Sequence, residues 1–133
     1  MKPLLDFIGK CEKENLYKDN PVEFAVAASF YLSLHGITSG YLLLYRHEQE
    51  IESGAWLSDT LSHVAVVVDG IDYDMGGKNA AERWEKSWDD SDSDGRTESV
   101  FTLENSYTFD HLLFECHKYE VPFNFEILAK LLA

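Results

Sequence analysis

Basic residues are scarce in this chain of 133 residues, which has 11 lysines and arginines against 24 aspartates and glutamates. The resulting formal net charge of −13 repels nucleic-acid phosphates and anionic membranes, which argues against direct binding to either. It attracts basic partners, including proteins whose own groove holds nucleic acid. Plain solubility is the alternative explanation, and the charge alone does not decide between the two.

Several other features are missing. No apolar run approaches the roughly 20 residues that a membrane span requires, and the segment Met1 to Asp6 lacks the unbroken apolar stretch of a signal peptide. The only cysteines, Cys11 and Cys116, lie far apart and are expected to be free, buried thiols. There is no glycine-rich phosphate loop, HExxH or GxSxG motif. We therefore expect a single cytoplasmic domain over residues 1–133.

Helical spacing of apolar residues predicts a first helix over residues 3–14. A second helix has a clear start, because Asn20 can cap it, Pro21 suits its first position and Glu23 follows three residues after the cap. Gly36 is predicted to end this helix.

A strand is predicted over 41–45, followed by a polar loop over 47–60. Residues 63–68 and 71–75 are strand-like and are joined by Asp69-Gly70, a strong hairpin signal. The remaining predicted elements are a helix from Asn79 to about Trp88, a strand over 98–103, and helices over 108–119 and 124–132. The prediction is an α+β fold, with an antiparallel sheet containing a central Asp-Gly hairpin and packed against N-terminal and C-terminal helices.

The two-residue turn fixes the register of this hairpin. Val67 then faces Asp72 and Ala65 faces Asp74, so that His63 lies diagonally across from Asp74 on the same face. Diagonal neighbours have Cβ atoms about 7–8 Å apart, which allows a hydrogen bond between imidazole and carboxylate. Such a carboxylate orients a catalytic histidine. The alternative is a partly exposed strand histidine beside solvated aspartates.

The helix and hairpin together resemble the papain-like superfamily in its small NlpC/P60-like and transglutaminase-like forms. Members begin a helix with Cys-x-x-Phe-Ala, open a later strand with histidine, and carry an acid or amide on the next strand. Residues 22–37 are similar to that helix, 63–68 to the histidine strand and 69–74 to the third-residue strand. The resemblance spans roughly residues 19–84. It implies a papain-like core and makes His63 and Asp74 two members of a triad.

The nucleophile position departs from the family pattern. The sequence there reads Asp-Asn-Pro-Val-Glu over residues 19–23, with no cysteine, serine or threonine. The resemblance therefore implies a degenerate enzyme, retained as a binding domain. A surviving thiol enzyme would need Cys11 to reach His63, although Cys11 and Cys116 fit better as small buried apolar residues.

Three functions are consistent with these patterns. The first is a non-catalytic papain-like domain that binds another protein with a basic surface, similar to inhibitor or immunity proteins of phages and mobile elements, which is an analogy. The second is a thiol-dependent amide hydrolase or acyltransferase that uses Cys11, His63 and Asp74. The third is an acidic mimic of nucleic acid.

An acidic segment suggests one cofactor. Asp90, Asp92 and Asp94, followed by Gly95, match the first half of a calcium loop, although the position of the bidentate glutamate holds Phe101. A solvated turn is the alternative reading. Apart from this weak calcium candidate, no cofactor is expected.

Overall fold

A computed structural model describes residues 2–17, 20–87 and 95–121 and shows an α+β fold. Helices and strands follow the order α1 (Lys2–Lys13), α2 (Pro21–Leu34), β1 (Gly40–Glu50), β2 (Trp56–Val68), β3 (Ile71–Asp74), β4 (Gly77–Lys78), α3 (Ala80–Ser87), β5 (Thr97–Ser106) and α4 (Phe109–Lys118). The five strands form one antiparallel sheet in the order β4-β3-β2-β1-β5. The predicted fold class and antiparallel sheet are thereby confirmed.

Strands β2 and β3 are joined by Asp69 and Gly70, whose φ angles of 52° and 77° are both positive. This backbone suits a two-residue turn, and it places Val67 opposite Asp72. The last ladder pair before the strands separate is Val66 with Tyr73. Residues of β2 that precede this pair, among them His63, therefore lie beside the end of β3.

The sheet is covered on both faces. One face carries the main core, in which α1, α2 and α4 pack against alternate residues of β1 and β2 such as Leu43 and Val64. A smaller cluster joins Leu44 and Ala65 to Ala80 and Trp84 of α3. Because successive residues of a strand point to opposite faces, α3 covers the face opposite to α2.

The predicted loop over 47–60 is wrong. Strand β1 continues to Glu50 and β2 begins at Trp56, so that only a short connection remains between them. Strand β1 pairs along this part with both β2 and β5, which satisfies its backbone groups despite its polar side chains. Residues 56–60 are exposed, which explains why their composition resembles that of a loop.

The other predictions differ in smaller ways. Strand β5 is longer than the predicted 98–103, β3 ends one residue before Met75, and the two-residue strand β4 was not predicted. The predicted helix over 124–132, the end of the helix at Trp88, and Asp90, Asp92 and Asp94 lie outside the described residues. Among the helices of the described ranges, none has the length and apolarity that crossing a membrane requires.

Candidate functional site

The carboxylate of Asp74, at the end of β3, accepts hydrogen bonds from several directions. Its Oδ1 accepts from the backbone N–H of Gly76 at 2.8 Å and from Nη2 of Arg83 at 2.6 Å. Its Oδ2 accepts from Nε1 of Trp84 at 3.0 Å and lies 3.4 Å from Nε2 of His63. Asp74 is 8% exposed, so these donors replace most of its hydration.

Burial alone raises the pKa of Asp74, because it disfavours the charged form. The hydrogen bonds from His63, Arg83, Trp84 and Gly76 outweigh burial and hold the pKa well below its usual range. Asp74 is therefore an anion at neutral pH. Its closest charged partner is Arg83, whereas His63 lies at the outer limit of a hydrogen bond.

His63 borders a cavity of about 220 Å³ beside the end of β3. Its imidazole meets the indole of Trp84 edge to face, with ring centroids 4.2 Å apart and an interplanar angle of 87°. On the far side the cavity is lined by Pro21 and Phe24 of α2. The sheet and the start of α2 thus meet at this cavity, and the His63–Asp74 pair lies in its wall.

The start of α2 is built as the sequence indicates. The side-chain oxygen of Asn20 accepts from the backbone N–H of Glu23 at 3.2 Å, and Pro21 occupies the first turn. The positive end of the helix dipole therefore lies at the cavity, where it would stabilise a thiolate. Pro21, however, presents no nucleophile there.

Both thiols are buried, and neither lines this cavity. Cys11 is 0% exposed on α1, and burial raises the pKa of its thiol to about 12. Cys116 is 2% exposed on α4, and burial raises its pKa to about 11. Among the described residues that line the His63 cavity, neither cysteine occurs. Cys11 instead borders a separate depression that shares Met75 and Gly76 with the cavity.

Both native thiols are expected to react slowly with a small disulfide reagent at neutral pH, because each is buried and has a raised pKa. The rate for each should be at least about 100-fold lower than in the urea-unfolded chain. The measurement is stopped-flow absorbance of the released reagent anion. His63→Ala is the control and should leave both rates unchanged. A single fast thiol that slows in His63→Ala would instead favour the thiol enzyme that uses Cys11.

Sequence reasoning predicted the proximity of His63 and Asp74 but missed the two α3 residues that hold the carboxylate. Arg83 also donates to the backbone oxygens of Gly77 at 2.7 Å and Lys78 at 3.3 Å. It thereby ties α3 to β4 as well as to Asp74. The only sequence signal was that Arg83 and Trp84 follow the hairpin closely on a predicted helix, and this does not reveal which way the helix packs.

A second histidine–carboxylate pair was missed because it falls in the predicted loop. Nδ1 of His47 lies 2.6 Å from Oδ1 of Asp59, and Nε2 lies 2.9 Å from the hydroxyl oxygen of Thr102. The hydrogen bond from His47 lowers the pKa of Asp59. These residues lie on three neighbouring strands at an exposed part of the sheet, so their hydrogen bonds join β1 to both β2 and β5.

Within the described ranges, no three histidine, cysteine, aspartate or glutamate side chains converge as they would around a metal ion. The three aspartates of the calcium candidate lie outside those ranges and stay a prediction. No family model, no curated protein and no solved structure matches the chain. The function must therefore be inferred from the geometry of the site itself.

Proposed function

We propose that this protein is a papain-like domain that has lost its nucleophile and acts by binding another protein with a basic surface. The observation that carries the proposal is the cavity between α2 and the sheet. It brings together a helix start, a histidine and an aspartate, the three parts that the resemblance to thiol hydrolases implies, but Pro21 occupies the helix start. Both native thiols are buried with raised pKa values.

The bonding of Asp74 supports a structural role for the pair. In a catalytic triad the carboxylate serves the imidazole and stabilises the imidazolium that forms during reaction. Here Arg83 lies at 2.6 Å and His63 at 3.4 Å, so the guanidinium already balances much of the charge of the carboxylate. The short contact with Arg83 therefore favours a role for Asp74 in holding α3 against the hairpin over a role in activating His63.

The charge distribution supports a basic partner. Several acidic side chains lie where β1, β2 and β5 extend past the main core; we call this region the acidic end and define it by Glu48, Glu50, Glu52, Asp59 and Glu98. Two arginines offset part of this charge: Arg46 pairs with Glu48 at 3.0 Å, and Arg96 lines a cavity together with Glu50 and Glu52. A surface with an excess of acidic groups attracts a basic partner over a distance of about 10 Å at moderate salt.

A pair of triple variants with equal net charge tests this proposal. We expect Glu50→Gln/Glu52→Gln/Glu98→Gln to weaken binding of a decalysine peptide about fivefold, since each exposed ion pair contributes about 0.2–1 kcal/mol. The control Asp6→Asn/Glu12→Gln/Glu14→Gln removes the same charge from α1 and the residue that follows it, and should change binding less than about twofold. Fluorescence anisotropy at low and moderate salt measures both.

Equal weakening by the two triple variants would contradict the proposal, because it would show that net charge alone attracts the peptide. So would hydrolysis of an amide or ester that disappears in His63→Ala. The nucleic-acid mimic is a separate alternative, in which carboxylates spaced like phosphates occupy a basic groove. Competition with duplex DNA for the basic partner, weakening steeply with salt, would support it.

A further inference from the structure

A second cavity, of about 380 Å³, lies at the other end of α2, between the end of that helix and the start of β1. A helix of 14 residues is about 20 Å long, so this cavity is well separated from the one beside His63. Its volume falls within the range of about 300–1,000 Å³ that small-molecule sites occupy. It plays no part in the function proposed above.

The lining of this cavity is neutral. Charged residues make up 26% of the chain, yet none occurs among the described residues that line the cavity. A phosphate, carboxylate or ammonium group bound here would lose hydration without gaining an opposite charge. The cavity is therefore suited to an uncharged ligand, in contrast to the strongly acidic surface elsewhere.

Hydroxyl groups dominate the polar part of the lining, which includes Ser29, Ser33, Thr38, Ser39 and Tyr41. Ser39 donates its hydroxyl to the oxygen of Ser29 at 3.0 Å, and Tyr41, which is 2% exposed, lines the same cavity. A hydroxyl can both donate and accept. This connected group therefore matches a ligand that itself presents several hydroxyls.

Three aromatic rings, together with Gly36 and Ile37, form the rest of the wall. Phe30 and Phe109 meet edge to face with centroids 5.0 Å apart, and Tyr107 stands at the rim with 81% of its surface exposed. The negative face of an aromatic ring attracts weakly positive C–H groups. The flat C–H face of a sugar ring offers such groups, while its edge offers hydroxyls.

We propose that this cavity binds a neutral saccharide unit, with the ring stacked on Tyr107 and the hydroxyls bonded to the group around Ser29. The absence of charge in the lining excludes sugar phosphates and uronic acids as preferred ligands. The volume accommodates one or two sugar rings, so a terminal unit of a longer saccharide also fits.

The test is titration of the full chain with methyl glucoside and with N-acetylglucosamine, followed by protein-observed NMR. Tyr107→Ala and Ser29→Ala should each weaken binding about tenfold, since one removes the stacking surface and the other a shared hydroxyl. Phe114→Ala removes an aromatic side chain of α4 that is 63% exposed and is not among the described lining residues, and it should leave binding unchanged. Glucuronate should bind about tenfold more weakly than methyl glucoside.

Absence of binding by both neutral sugars overturns the proposal, and so does binding that neither Tyr107→Ala nor Ser29→Ala weakens. Tighter binding of glucuronate or of adenosine also overturns it. Because Tyr107 is exposed, its substitution does not threaten folding, so the Tyr107→Ala result is decisive even if Ser29→Ala unfolds. None of these outcomes depends on whether the His63 cavity is catalytically inactive.

Discussion

Replacing Pro21 by cysteine is expected to create a thiol that reacts with iodoacetamide at pH 6 on the order of 10–50 times faster than an ordinary exposed cysteine. The new thiol would lie at the positive end of the α2 dipole and in the wall shared with His63. Both features favour the thiolate, so the pKa should fall from about 8.5 to below about 7. Mass spectrometry of the alkylated peptide against time measures the rate.

Two controls distinguish the effect of the helix dipole on the reaction rate from the effect of the imidazole. Leu34→Cys places a thiol on the same helix at its opposite, negative end, where the native side chain is 71% exposed, and should react as an ordinary cysteine does. Pro21→Cys/His63→Ala keeps the helix dipole but removes the imidazole, and should lose most of the acceleration. If Pro21→Cys reacts no faster than Leu34→Cys, the interpretation of α2 as a former nucleophile helix is wrong.

Replacing Asp74 by alanine is expected to lower the free energy of unfolding by about 2–4 kcal/mol. The loss comes mainly from the Trp84 indole N–H and the Gly76 backbone N–H, which would be left without an acceptor. Arg83 contributes less, because its side chain is 41% exposed and can regain water. Urea denaturation followed by tryptophan fluorescence measures the change.

Asp72→Ala is the matched control on the same strand. The carboxylate of Asp72 accepts the backbone N–H of Ala81 at 2.7 Å, so its removal should cost about 1 kcal/mol. A loss for Asp74→Ala no larger than that for Asp72→Ala would show that the carboxylate does not fasten α3. The two variants remove the same charge, which cancels any effect of net charge.

The contribution of Asp74 should also depend on pH in a defined direction. The pKa of Asp74 is lower in the folded protein than in the unfolded chain, where it is about 3.9. Asp74 therefore contributes its full stabilisation above about pH 3.9, and this contribution is lost as the pH falls toward the folded pKa. The difference in unfolding free energy between the wild type and Asp74→Ala should therefore be constant from pH 7 to about 5. Below about pH 4 the difference should shrink.

Sequence reasoning was accurate for features that depend on residues close together in the chain, and it failed for features that depend on distant residues. The start of α2 depends on residues three apart, and the pairing of Val67 with Asp72 depends on a two-residue turn, so both could be inferred locally. The strand character of residues 47–50 and 56–60 depends on pairing with one another and, for β1, with β5. Polar composition favours a loop at these positions, and only long-range pairing reverses that preference.

The site was predictable to a similar extent. The register of a hairpin places His63 near Asp74, since both lie within one local unit. It cannot show that Arg83 and Trp84 share the carboxylate, because this depends on which face of the sheet α3 covers. Sequence reasoning could therefore identify the pair but not the competing donors that favour a structural role.

Helix α3 has only 8 residues, too few to be stable as a helix in water without contacts to the rest of the fold. Its bonds to β3 are made through the carboxylates of Asp72 and Asp74, and Arg83 adds bonds to β4. Opening β3 would therefore release α3, and melting α3 would expose the buried carboxylate of Asp74. We therefore expect the hairpin end and the helix to open together, so that their amide hydrogens exchange with solvent at similar rates.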